Sequence, residues 1–278
     1  AMAATALGIA LTGCATGVEE SEDASSSTTG DTFPVTIEHA LGETVIETQP
    51  ERVAAIAWSN QDVPLALGVV PVGMDSQVWA WTGDAELGVY EWTQDAIDEL
   101  GGEEPVIFSS SDGVDFEAIA DTAPDVILAA QSGLSEEDYA TLSEIAPVVA
   151  YPEIAWFTPW RDTGGDSRTA FLNDLGFDLP QVAIDAAAEG SFYQDFSAEN
   201  ADQLADVDVI VSYGDGSLLE AMQADPLWST LPAVQNGAVV EVGNGDALSA
   251  AVSPTALSIP WVLDEYVAML EDAASQAQ

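Results

Sequence analysis

From Pro34 onward the chain alternates short apolar runs with stretches whose apolar residues recur every three or four positions. Val35 and Ile37 before a turn at Leu41-Gly42-Glu43, and Val45-Ile46 after it, predict a β-hairpin. Val53-Ala54-Ala55-Ile56-Ala57 is an unbroken apolar run and predicts a buried strand. Asp62 to Leu67 reads as a short helix stopped by Gly68, and Val69 to Met74 as the next strand. Asp115 to Ala123 places Phe116, Ile119 and Ala120 on one helical face; Pro124-Asp125 ends it, and Val126 to Ala129 is again a strand. Ser135 and Asp138 match a capping box and open a helix with Tyr139, Leu142 and Ile145 on one face, followed by a strand at Val148 to Tyr151. Further on, Ser217-x-x-Glu220 repeats the capping pattern, Ala238 to Val242 reads as a strand, and a last helix carries Leu263, Tyr266, Val267 and Leu270 on one face. Strands alternating with helices predict an α/β fold with a mainly parallel sheet.

One phrase occurs twice. Asp115 to Leu128 and Phe196 to Val211 each run from a Glu near a helix start, through an amphipathic helix, to Asp-Val-Ile and a strand. The repeat predicts two related, Rossmann-like lobes. Their expected bounds are 34–157 and 168–278, joined by a crossing at 158–167.

The first 33 residues do not follow this pattern. Residues 1–13 are uncharged and far shorter than the roughly 20 residues that span a bilayer. They read as the remnant of a signal peptide. Residues 14–33 begin at Cys14, the only cysteine, and continue as a small, polar, acidic tether expected to be disordered. Leu11-Thr12-Gly13-Cys14 resembles the lipobox of bacterial lipoproteins, in which the Cys thiol receives the lipid. The expected location is therefore extracytoplasmic, with the membrane reached only through a lipid anchor.

Charge narrows the possible partners. The chain has 49 Asp plus Glu against three basic residues, Arg52, Arg161 and Arg168, for a formal net charge of −46. Such a chain repels phosphate backbones and anionic head groups, which argues against nucleic-acid and peripheral lipid binding. With 47% hydrophobic residues and eight Trp it has enough apolar material for a core. One Cys and one His, His39 in the predicted hairpin, cannot build a zinc site. No G-x-S-x-G, HExxH or glycine-rich phosphate cradle is present, so nothing in the sequence argues for an enzyme or a resident cofactor.

The candidate site lies where the first half passes into the second. Tyr151, Trp156, Trp160, Arg161 and Arg168 bring together two of the three arginines and several aromatic faces. A guanidinium offers a fork of donors to oxyanions, and aromatic rings grip flat or apolar ligand parts. Trp58, Trp79 and Trp81 follow strand ends, where open α/β sheets bind ligands, and Tyr213 is placed with them.

On these residues the chain resembles the ferric-siderophore substrate-binding lipoproteins of ABC importers. The matching stretches include Pro50-Glu-Arg-Val with Trp58-Ser59-Asn60, Gly68 to Met74, Phe116-Glu117 with Pro124 to Ala129, and Thr158-Pro-Trp-Arg161. Arg168-x-x-Phe171, Asp225-Pro-Leu-Trp228 and Leu231 to Val240 continue the match. The resemblance implies two α/β lobes that clamp the ligand between them and an ABC permease as partner. It also implies a monomer and one acidic docking residue per lobe, here Glu117 and Glu199. It further implies a long helix between the lobes, which Pro159, Gly164 and Gly165 forbid in 158–167, so the crossing is expected to be shortened.

The expected ligand is a ferric siderophore. A neutral or cationic hydroxamate complex suits the acidic body, whereas the arginines favour some oxyanion character. A cobalamin or haem carrier of the same fold, and a surface lipoprotein that only senses or scaffolds, are the alternatives. Uptake of a coloured iron complex separates them.

Overall fold

The apolar runs of the first half assemble into one parallel sheet. The computed structural model describes residues 33–77, 88–109, 113–151, 167–188 and 197–277. It opens with an antiparallel hairpin, β1 (Val35–His39) and β2 (Gly42–Ile46), with Val35 opposite Ile46 and His39 opposite Gly42. Next come β3 (Val53–Ala55), β4 (Gly73–Asp75), β5 (Val106–Phe108), β6 (Val126–Ala130) and β7 (Val148–Tyr151), all parallel in the order β5-β4-β3-β6-β7. Helices α1 (Asp62–Ala66), α2 (Glu91–Leu100), α3 (Phe116–Asp121) and α4 (Glu136–Ser143) alternate with these strands. The chain moves outward from β3 to β5, then returns to place β6 on the other side of β3. That reversal is the topological switch point of a doubly wound sheet, where a crevice opens beyond the strand ends.

The second half holds α5 (Ser167–Asp174), α6 (Gln181–Ala188), a 3-10 helix at Ala198–Leu204, β8 (Ile210–Ser212) and α7 (Leu218–Ala224). It ends with α8 (Pro232–Asn236), β9 (Val239–Glu241), α9 (Ala247–Ala251) and α10 (Ser258–Gln276), and β8 pairs with β9 in parallel.

Burial follows the strand pleat. Ala54 and Ile56 of the β3 run face a core with Phe108, Ile119, Ile127 and Leu142. Ala55, one residue out of phase, faces Leu65, Met74 and Ile97 on the opposite side. Both faces of the sheet are thus covered, which is why β3 is an apolar run rather than an alternating one. A third core joins Tyr90 and Trp92 of the first half to Phe171, Val240, Val242, Tyr266 and Leu270 of the second, so Phe33–Gln278 packs as one unit. The hairpin is pinned to the sheet by Thr44, whose Oγ1 donates to the Val148 carbonyl at 2.6 Å. His39 bonds the same hydroxyl at 2.8 Å and sets its ring edge-on to Tyr139, a structural role in the hairpin.

The structure corrects several expectations. β4 begins at Gly73 rather than Val69, because the Val69 N–H turns back to the Pro64 carbonyl at 2.8 Å and Pro71 has no N–H for a ladder. The helix in the second copy of the repeat is a 3-10 helix with a kink at Asn200. Ser135 and Asp138 form their capping box, but Ser217 and Glu220 do not. The Ser217 hydroxyl instead donates to Asp215 Oδ1 at 2.5 Å. The exposed amides at the start of α7 go to a carboxylate from β9: Leu218 and Leu219 donate to Glu241 Oε1 at 3.0 and 3.4 Å, and Gly216 donates to Oε2 at 2.8 Å. Gly214 leaves room for it, since a Cβ there would stand 2.1 Å from Glu241 Oε2. Among the described residues no helix is long and apolar enough to cross a membrane.

Candidate functional site

The segment that leaves β3 is strained around one tryptophan. Ala57 (φ 64°) and Ser59 (φ 61°) both adopt left-handed backbone and flank Trp58. Such conformations cost non-glycine residues about 1–2 kcal/mol each and persist only where other contacts fix them. Here the Ala57 N–H donates to Asp75 Oδ2 at 2.6 Å. Asn60 clamps the loop across the switch point: its Nδ2 donates to the Ala130 carbonyl at 2.8 Å, and its Oδ1 accepts from the Ala130 N–H at 2.9 Å. The Trp58 indole N–H donates to the Tyr90 hydroxyl at 3.2 Å. A cavity of about 400 Å³ opens at these strand ends, lined among others by Ala57, Asp75, Ser132, Leu134 and Asp138. Among the described residues, the buried side-chain oxygens without a partner are those of Ser59, Gln61 and Gln77, all in the segments that follow β3 and β4.

A second site occupies the matching place in the other half. Arg168, in the first turn of α5, donates from Nη1 to the Tyr213 hydroxyl at 2.9 Å, and its guanidinium carbon lies 5.5 Å from the centre of the Tyr213 ring. Tyr213 directly follows β8. Arg168, Tyr213, Tyr266, Ser212, Val242 and Val252 line a cavity of about 330 Å³. Burial, with the neighbouring Tyr213 adding to it, pushes the Tyr266 hydroxyl up to about 12. Tyr266 is therefore a neutral donor here, and the guanidinium is the charged group facing the cavity. That combination suits an oxyanion or a chelated carbonyl oxygen.

The structure thus brings Arg168 and Tyr213 together and puts Trp58 after the end of β3. It places Glu117 and Glu199 at corresponding positions: each is exposed, in the first turn of a helix that precedes a strand. Cys14, Trp79, Trp81, Trp156, Trp160 and Arg161 lie outside the described residues. Arg52 is structural. Its guanidinium donates to the carbonyls of Thr122 and, at 2.8 Å, Ala123 at the carboxyl end of α3, where a cation suits the helix dipole.

Two residues of the first site were not singled out by the sequence. Tyr90 is buried, stacks on Trp92 at 4.5 Å and receives the Trp58 indole N–H. Asp75 ends β4 and was hidden among 49 acids. Its signal was positional, at the end of a parallel strand beside the switch point. Among the described residues no group of three or more His, Cys, Asp or Glu is placed to hold a metal ion.

Residues 53–165 match the family described as periplasmic binding protein. A stretch of 143 residues is 31% identical to the "Probable siderophore-binding lipoprotein YfiY" of Bacillus subtilis (strain 168); it covers 51% of this chain and 40% of that curated relative. Among solved structures, PiaA of Streptococcus pneumoniae TIGR4 in complex with ferrichrome is 36% identical, with a TM-score of 0.78 over 88% of this chain and 100% of that one. A periplasmic solute binding protein from Mycobacterium smegmatis is 25% identical, with a TM-score of 0.59 over 86% of this chain and 98% of that one. The α/β architecture with a mainly parallel sheet is the one these proteins share.

Asp75 gives the first site a measurable signature. Burial pushes its carboxyl from 3.8 up to about 6, opposed by the Ala57 N–H and helped by the charge of Asp115. A carboxyl with a raised folded-state pKa binds its proton more tightly when folded. Its stabilising contribution is full below 3.8 and is lost as pH rises through about 6. Asp75→Asn keeps an acceptor for Ala57 and removes the titration. It should melt a few degrees above the wild type at neutral pH, and the gap should close as pH falls below 3.8. Melting curves across this range check it, and parallel profiles for the two proteins would contradict it.

Proposed function

The chain belongs to the periplasmic binding protein family, and on that premise we propose that it captures a ferric siderophore outside the cytoplasm and delivers it to an ABC importer. The family is one of solute-binding proteins rather than enzymes. The observation that carries the reading is the 36% identity and 0.78 TM-score shared with PiaA, whose solved complex holds ferrichrome. The geometry supports it, with one cavity at the strand ends of each half, the first lined by Ala57, which precedes Trp58, with Asp75 and Asp138, and the second by a guanidinium with tyrosines. In this reading 34–157 and 168–278 act as two lobes around one cleft. Trp58, Arg168 and Tyr213 face the ligand, and Trp79, Trp156, Trp160 and Arg161 complete its surround. The protein acts as a monomer, held at the membrane by a lipid on Cys14. Glu117 and Glu199 meet basic residues of the permease.

Titration of intrinsic fluorescence with ferrichrome tests capture. A charge-assisted hydrogen bond contributes roughly 1.5–3 kcal/mol, so Arg168→Ala should weaken binding about tenfold to a hundredfold. Arg168→Lys should recover only part of the loss, because the planar fork is gone. A lower melting temperature with unchanged affinity would make Arg168 a purely structural residue. A carrier of haem or cobalamin would leave the wild-type ferrichrome titration flat.

Delivery is tested in cells carrying variants in place of the wild-type chain. Charge reversal at a docking surface adds repulsion without touching a remote cleft. The double variant Glu117→Arg, Glu199→Arg should therefore lose iron-siderophore uptake while the purified protein binds as before. Cys14→Ser should leave the membrane fraction. Normal uptake by the double variant removes the docking assignment, and retention of Cys14→Ser at the membrane removes the anchor.

A further inference from the structure

Asp62 of α1 is 1% exposed. Its Oδ1 accepts from Gln61 Nε2 and from Thr93 Oγ1, each at 3.2 Å. Its Oδ2 accepts from the Trp92 indole N–H at 3.3 Å and from the Thr255 hydroxyl. All four donors are neutral. A buried carboxylate is costly to keep, and an apolar residue would fill this space at less expense of desolvation. What the carboxylate supplies instead is two oxygens, each able to take two donors at once.

Those donors converge on one aromatic stack. Trp92 has a single polar atom, the N–H that Asp62 accepts, so this bond fixes which way its ring system faces. One face of Trp92 lies nearly parallel to Tyr90, 4.5 Å between centres and 18° between planes. The Tyr90 hydroxyl in turn receives the Trp58 indole N–H at 3.2 Å. Trp92 also leans on Trp261 of α10 at 5.4 Å and 53°. Thr255, at the leader of α10, accepts the Ser258 N–H at 2.9 Å while it donates to Asp62. We propose that Asp62 is the positioning residue for Trp58: by holding Trp92 it registers the buried Tyr90, whose hydroxyl receives the Trp58 indole, and through Thr255 it sets this stack against the second half. The assignment to ligand binding rests on the proposed function, in which Trp58 faces the siderophore.

Two substitutions separate positioning from bracing. Asp62→Asn keeps one oxygen for Trp92 and Thr255, and its new amide can donate to Gln61 Oε1, a buried atom now without a partner. Asp62→Leu fills the volume but leaves the indole N–H and Thr255 without an acceptor. Near-ultraviolet circular dichroism reads the Tyr90–Trp92–Trp261 stack directly, and calorimetry with ferrichrome reads the cleft. Asp62→Leu should lose most of the near-ultraviolet signal and bind ferrichrome at least tenfold more weakly. Asp62→Asn should keep the signal and bind within about threefold of the wild type. If Asp62→Leu does not fold, Trp92→Phe keeps a stacking ring and removes the bond to Asp62 together with the second ring of the indole; it should weaken ferrichrome several-fold. A folded Asp62→Leu with wild-type signal and affinity, or, where Leu fails, a Trp92→Phe with wild-type affinity, and in either case only a lower melting temperature, would overturn the proposal. If the wild type ignores ferrichrome, the proposed function fails instead, and the dichroism comparison still decides the positioning role.

Discussion

A buried carboxylate that binds no cation joins the two halves of this molecule. Asp62 draws Gln61, Trp92 and Thr93 from the first half and Thr255 from the second onto two oxygens. Burial raises its pKa while those hydrogen bonds oppose the rise. Of the chain's three basic residues, Arg52 binds carbonyls at the end of α3 and Arg168 binds Tyr213, and none of the four partners of Asp62 is a cation. Neutral donors are the available alternative, and four of them offset part of the desolvation cost. The contact is also directional, which greasy packing is not. The core that Tyr90 and Trp92 share with Phe171, Val240 and Tyr266 would hold the halves together, but the carboxylate decides how they are registered.

The same scarcity of bases gives each described arginine a readable role. Arg52 closes the carboxyl end of α3 and hands Asp125 two backbone amides nearby, from Glu51 at 2.8 Å and from its own N–H at 2.9 Å. Arg168 faces a cavity with Tyr213 and Tyr266. The cleft proposed between the halves therefore has unlike sides. Its first-half side carries the carboxyls of Asp75 and Asp138, its second-half side a guanidinium and phenols. A chelate with amide donors on one flank and chelating oxygens on the other suits that polarity.

What the sequence made legible was local. The apolar runs at Val53, Val126 and Val148 became β3, β6 and β7 because strands buried on both faces need no alternation. The capping box at Ser135 formed because both partners lie three residues apart. The box expected at Ser217 failed because Asp215, two residues before it, takes both the Ser217 N–H and its hydroxyl, while Glu241 arrives from a distant strand to accept the Leu218 and Leu219 amides. α2 was missed: its sequence, EWTQDAIDEL, is mostly polar, and its buried Trp92 and Thr93 point at Asp62 and at the other half. Trp58, Arg168 and Tyr213 could be chosen as candidates from strand ends and rare residue types. Asp62 and Tyr90 could not, because their importance depends on Thr255, 193 residues from Asp62, and on the fold that brings it there.

The account stands or falls on where an iron chelate sits. A crystal structure of the protein grown with ferrichrome is the direct measurement. The account predicts ligand density in the crevice beyond the carboxyl ends of β3 and β8, in contact with both Trp58 and the Arg168–Tyr213 pair. Ligand bound elsewhere, or bound against one half with Arg168 out of reach, would contradict it.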